Sequence, residues 1–246
     1  MRGERDREES AAEDVATSAP PVVELPYGEA AVGEGATTVV AGVPSGYPRT
    51  TNGAVSAALT YANAAGTALF VTPEKRAQIA ETIYTPAARE NGVLTDEVAA
   101  AVQDELNVTP DGLGLRADGT IDASRRAFAE CLYQYGAYRV DDVDASAEPS
   151  EVVVTTWAPC LNGVGSADDG SAVQVRWSEV TTTMRWSGTD WQIAETTYPT
   201  HTPPAPDQPR AVNVSLTERA RLLGGGWVVP ADATDAFDPT IGIGEL

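Results

Sequence analysis

Nucleophile, redox or metal chemistry in this 246-residue chain would have to run through very few side chains: Cys131, Cys160 and the one histidine, His201. The spacing of the two cysteines excludes CxxC zinc and redox motifs. Each lies in a strand-like segment, and the two segments are neighbours. A disulfide is geometrically conceivable; two small buried residues are the other reading. A bridge would imply an oxidising compartment. His201 sits in the Pro-rich run Tyr198-Pro-Thr-His-Thr-Pro-Pro-Ala-Pro, where a lone imidazole is ordinarily just solvated. One histidine and two separated cysteines do not make a classical zinc site, and nothing near His201 suggests a Ser-His-Asp or Cys-His arrangement. Gly224-Gly225-Gly226 lacks the spacing of a phosphate loop and follows a helix instead of opening one. Asp168-Asp169-Gly170 falls well short of a twelve-residue calcium loop. No metal and no cofactor are implied.

Aromatic residues are the other resource. Trp157, Trp177, Trp186, Trp191 and Trp227 could line an apolar pocket or an interface, or simply fill a core. The charge narrows the partners. Lys+Arg 16 against Asp+Glu 36 gives a formal net charge of −20. No basic surface is available for phosphates, so nucleic acid is excluded as a ligand, as is docking on an anionic leaflet. No stretch reaches the length of a membrane span, and the charged start, Met1 to Ser10, lacks the apolar core of a signal peptide. The chain is not expected to insert into a membrane itself. An anchor upstream of Met1 stays open.

These side chains need elements to position them. Residues 1–38 read as a disordered acidic and Pro-containing segment, with an extended lead-in running over residues 21–50. Val55, Ala58, Leu59, Ala62, Gly66 and Leu69 fall at helical spacing, which predicts a helix over 52–69. Thr72-Pro73-Glu74 starts a second helix, buried through Ile79, Ala80, Ile83 and Tyr84 and ended or kinked by Pro86. Thr95-Asp96-Glu97 starts a third, with Val98, Val102 and Leu106 on one side. Pro110-Asp111-Gly112 turns the chain. Segments 112–118, 127–140, 151–158, 171–186 and 190–198 are rich in Val, Thr, Tyr and Trp and read as strands. The loop Ser187 to Asp190 makes a hairpin, and residues 161–172 read as a loose loop. Val173, Val175 and Trp177 are out of phase with Val180, Thr182, Met184 and Trp186. A bulge near Ser178-Glu179 would reconcile them. A short helix is expected at 215–223, and Trp227-Val228-Val229 as an edge strand or packed arm. Helices first and a meandering antiparallel sheet after them indicate an α+β domain. The expected layout is a domain over 39–198, a Pro-rich arm with a short helix over 199–230 and an acidic tail over 231–246.

The lead Ser45-Gly-Tyr-Pro-Arg-Thr-Thr-Asn-Gly-Ala-Val-Ser-Ala-Ala-Leu-Thr-Tyr61 and the hairpin Arg185-Trp-Ser-Gly-Thr-Asp-Trp-Gln-Ile193 resemble an uncharacterised actinobacterial family with an NTF2-like domain. That family is similar to membrane-anchored assembly factors of conjugation and type IV secretion systems. The resemblance implies an NTF2-like cone, with N-terminal helices packed on a curved antiparallel sheet. It implies a non-enzymatic scaffold of the cell envelope whose partners are other proteins or further copies of itself. It places the domain on the extracytoplasmic face if an anchor precedes it; otherwise the chain would be cytoplasmic. NTF2-like cones also include isomerases that use a carboxylate base with hydroxyl donors. Tyr133, Tyr135, Asp141 and Asp142 are the candidates for that chemistry, although tyrosines packing on a sheet and aspartates solvating its end are the favoured explanation. No residue is assigned a catalytic role. The alternative function is a small-ligand-binding or isomerase-like protein with a pocket walled by Tyr133, Tyr135, Trp157, Trp177, Trp186 and Trp191.

Overall fold

Small side chains let the first long helix lie close to the sheet. In the computed structural model, which describes residues 35–144, 146–166, 174–198 and 226–228, helix α1 spans Thr51–Thr67. The Thr50 hydroxyl accepts a hydrogen bond from Gly53 N–H at 3.0 Å and caps its start. Ala54, Val55, Ala57, Ala58 and Tyr61 form its buried face. Two of its glycines mark close approaches. A Cβ on Gly53 would stand 2.1 Å from the Pro48 carbonyl, and one on Gly66 2.4 Å from the Ala129 carbonyl. Neither position admits a larger residue without moving backbone.

Three threonine caps punctuate the helical layer. Thr72 caps α2 (Pro73–Ile83), Thr85 caps α3 (Pro86–Glu90) and Thr95 caps α4 (Asp96–Leu106). Pro86 does stop α2, but it also opens α3 as its first residue. Arg76 is buried and ties this layer together. It donates to the carbonyls of Ala68 and Val71 and pairs with Asp96 at the start of α4. The buried face of α4 is Ala99 and Gln103. It is not the predicted stripe of Val98, Val102 and Leu106, which points elsewhere.

The lead-in forms a hairpin of β1 (Thr38–Val40) and β2 (Val43–Ser45). Its turn, Ala41-Gly42, has φ of 53° and 80°, the left-handed pair that two-residue hairpins favour. The main sheet is antiparallel throughout, in the order β3-β4-β6-β7-β8, with β5 also on β6. Its strands are β3 (Leu113–Leu115), β4 (Ile121–Cys131), β5 (Ala137–Val143), β6 (Glu151–Ser166), β7 (Gln174–Trp186) and β8 (Trp191–Thr197). The helices pack against this strongly curled sheet as against a half-barrel, an α+β architecture.

β6 is the spine. Its first half pairs with β5 and its second half with β4, so those two strands lie end to end along one edge. A short 3-10 turn at Tyr133–Tyr135 joins them, where one continuous strand was expected over 127–140. The expected loose loop after residue 160 is instead strand as far as Ser166. The expected bulge at Ser178-Glu179 is absent. β6 and β7 pair in unbroken register from Glu151–Arg185 to Asn162–Gln174. The apolar phase changes because β7 buries different faces at its two ends. Met184 faces the helices within the main core, while Trp177 faces the other side and joins Ala137, Trp157 and Trp227 in a separate cluster. The predicted helix at 215–223, His201, the Asp168-Asp169-Gly170 turn and the acidic tail lie outside the described residues.

Candidate functional site

At one end of α1 a single carboxylate joins both sequence motifs. Asp190, in the β7–β8 hairpin, accepts hydrogen bonds from Gly46 N–H at 2.7 Å, Tyr47 N–H at 3.1 Å, Tyr61 O–H at 2.7 Å and Trp191 N–H at 2.8 Å. Trp191 donates its indole N–H to the Pro48 carbonyl at 2.9 Å. Tyr61 is fully buried. Burial and its bond to Asp190 push the phenol well above its ordinary range. Trp186 packs edge-on to Trp191, and the Arg49 guanidinium lies 5.9 Å from the Trp186 ring centre. Every polar group named here has an internal partner, so this end is closed and structural.

The other end is open. The α4 stripe of Val98, Val102 and Leu106 faces a groove whose far wall is the part of β4 that pairs with β6, with Phe128, Ala129 and Glu130. One part is a cavity of about 350 Å³ lined by Tyr84, Tyr133, Tyr198, Val93, Val98 and the two cysteines, among others. It continues, through Leu69, Val102, Ala129 and Asn162, into a second part of about 560 Å³ that ends at Phe70 and Arg125. Val93, Val98 and Tyr198 are 43%, 40% and 75% exposed, so the rim presents apolar side chains to water. Burial, with repulsion from Tyr198, pushes the Tyr84 phenol up to about 12. Burial also raises the Tyr133 phenol, and desolvation raises the Glu130 carboxyl.

Cys131 and Cys160 are joined in a disulfide. They face each other directly across β4 and β6 and form part of the groove wall. Asn63 of α1 braces the same spot from the helix side. Its amide donates to the Cys131 carbonyl at 3.0 Å, and its carbonyl accepts the Cys131 N–H at 2.9 Å. In effect the side chain pairs with β4 as another strand would.

The aromatic candidates divide among four places. Tyr133 lines the groove. Trp186 and Trp191 belong to the closed end. Trp157 and Trp177 stack at 4.1 Å between ring centres on the outer face of the sheet. Tyr135 is half-buried in the 3-10 turn and is not part of the groove lining. No single pocket is walled by all six. Asp141 and Asp142 lie in β5, away from the groove; Asp141 is engaged by Arg139 and by the Thr155 hydroxyl. Sequence reasoning passed over Asp190, Tyr61, Asn63 and Glu130. The hydrogen-bonding residues inside the two motifs, Tyr61 and Asp190, were the available signal for the closed end. Among the described residues no group of three or more His, Cys, Asp or Glu is placed to hold a metal, and no helix is long and apolar enough to cross a membrane.

No family model and no curated protein matches the chain. Among solved structures, the intermembrane space region of chloroplast protein ARC6 is similar at 15% identity and a TM-score of 0.35, covering 60% of this chain and 95% of that one. A likeness at that level identifies neither family nor function.

Proposed function

We propose that this chain is a non-enzymatic protein-interaction domain whose open groove receives an apolar segment of a partner. The observation that carries the reading is the α4 stripe. A helix normally turns its apolar side to the core; here Val98, Val102 and Leu106 line the groove, with exposed Val93 and Tyr198 at its rim. Exposed apolar side chains gathered at one concave place favour an interaction site. The disulfide favours an oxidising compartment, which suits the extracytoplasmic face of a cell envelope. The resemblance of the Ser45–Tyr61 lead and the tryptophan hairpin extends the proposal to a conjugation or secretion assembly. A photo-crosslinker at position 98, introduced in the native host, tests it. One dominant protein adduct, lost when Val102→Asp is added, is the expected result. Labelling of abundant proteins in proportion to their abundance would overturn it.

A second reading has its own observation. The 350 Å³ part of the groove sets Tyr84, Tyr133 and a raised Glu130 carboxyl among aliphatic walls, a layout suited to a compact, mainly apolar ligand. Native mass spectrometry of protein from the host separates the two readings. A bound small molecule supports the ligand; a bare mass sinks it.

A further inference from the structure

Three residues near the end of the chain, Gly226, Trp227 and Val228, sit against the domain. They lie along the free edge of β5, with Trp227 on the outer face of the sheet, opposite the groove, and Val228 packed against the main core. Val228 pairs with Tyr138 on the outer edge of β5: Tyr138 N–H donates to the Val228 carbonyl at 2.9 Å, and Val228 N–H to the Tyr138 carbonyl at 2.7 Å. Trp227 is 6% exposed and completes the cluster of Ala137, Trp157 and Trp177. The Arg139 guanidinium lies 4.9 Å from the Trp227 ring centre. Gly226 has φ of 86°, and a Cβ there would meet the Arg139 side chain at 3.4 Å.

This is how a sheet edge recognises an extended peptide. Main-chain pairing supplies the docking and an alternate side-chain pocket supplies the selectivity. Here glycine is required by the backbone turn, tryptophan by the indole stack and the Arg139 cation, and an extended residue by the pair with Tyr138. The occupied site is separated in sequence from its ligand, and the ligand is a short tethered segment. We propose that the β5 edge and the Trp157–Trp177 stack form a strand-addition socket for a Gly-Trp-Val segment, filled by the chain's own arm and able to take the same segment from a second copy. Every copy carries both halves, so exchange of identical arms requires no new contact. Because the resident segment is part of the same chain, its rebinding is intramolecular, so a free segment competes only when the resident one is disabled.

The test uses a dye-labelled peptide with the sequence of residues 224–230, Gly-Gly-Gly-Trp-Val-Val-Pro, and full-length chains, read by fluorescence anisotropy. The peptide is expected to bind the Trp227→Ala chain at least about tenfold more tightly than the unaltered chain, whose socket is filled. A peptide with Ala in place of Trp is expected not to bind. Val228→Pro removes a main-chain donor but keeps the indole, and should open the socket in the same way if Trp227→Ala does not fold. Equal affinity for altered and unaltered chains, or no binding to either opened variant, would overturn the proposal.

Discussion

The two ends of helix α1 use the same kinds of residue to opposite effect. At the closed end Asp190 gathers Gly46, Tyr47, Tyr61 and Trp191, and the apolar residues around it are buried. At the open end α4 leaves valines and a leucine along a groove, while a disulfide and Asn63 hold the opposite wall in place. A half-buried carboxylate with four internal donors fixes a geometry, because stripping any partner leaves an unsatisfied group. An apolar groove fixes nothing by itself. The difference separates residues that build the domain from residues the domain can offer to others.

The contrast can be broken most severely at the closed end. Asp190→Ala removes the acceptor of one phenol and three amides and is expected to cost about 4 kcal/mol, read by urea unfolding. A loss below about 1 kcal/mol would mean those donors find water easily, and the closed end would not be closed. Next in size is the disulfide. Replacing both Cys131 and Cys160 by Ser frees a crosslink between residues 29 apart in sequence, worth about 3–4 kcal/mol by loop-closure reasoning. Limited proteolysis of that variant should cut first within β4, whose outer residues are exposed. First cuts in α1 would point to a different weak region.

Val98→Asp with Val102→Asp should change stability by less than about 1 kcal/mol, because neither side chain is fully buried. A loss several times larger would make the stripe part of the core and remove the groove from consideration. The smallest effect is expected at Glu130. Burial raises its folded carboxyl above the ordinary glutamate range, so the native state holds its proton longer than the unfolded chain does. The associated stability is fully present below the unfolded pKa and is lost as pH rises through the raised folded value. Melting temperatures measured from pH 4 to 7 should therefore fall less in Glu130→Gln than in the unaltered chain. Parallel curves would show that Glu130 is solvated.

Local signals carried much of the architecture. The threonine caps at 72 and 95 placed α2 and α4, and Pro86 placed the break between α2 and α3, because caps and prolines act within one turn of chain. The periodicity of α4 was legible as well, but its meaning was not. An apolar stripe says that a side is apolar; whether core or groove lies beyond it depends on β4, which is distant in sequence. The same limit explains the expected bulge at Ser178-Glu179. Alternation reports which residues share a face, yet a strand buried on both faces at different points breaks phase with no irregularity at that point: β7 stays in register with β6 through Ser178-Glu179, and its only register shift, against β8, lies at Thr183-Met184. The aromatic candidates failed to converge for a related reason. Trp157 and Trp177 are odd-numbered, and Met184 and Trp186 even-numbered, on strands whose two faces serve separate clusters.

The direct pairing of Cys131 with Cys160 has a consequence for how the chain reaches its structure. A one-residue slip of β4 along β6 would send one sulfur to the opposite face of the sheet, and the bond could not close. β4 offers few deeply buried side chains to set its own alignment. Oxidation therefore acts as a gauge of alignment: it seals the correct pairing and leaves a slipped one with free thiols. A thiol-reactive reagent applied during refolding would count the misaligned molecules directly, and an oxidising compartment would serve as the place where that inspection happens.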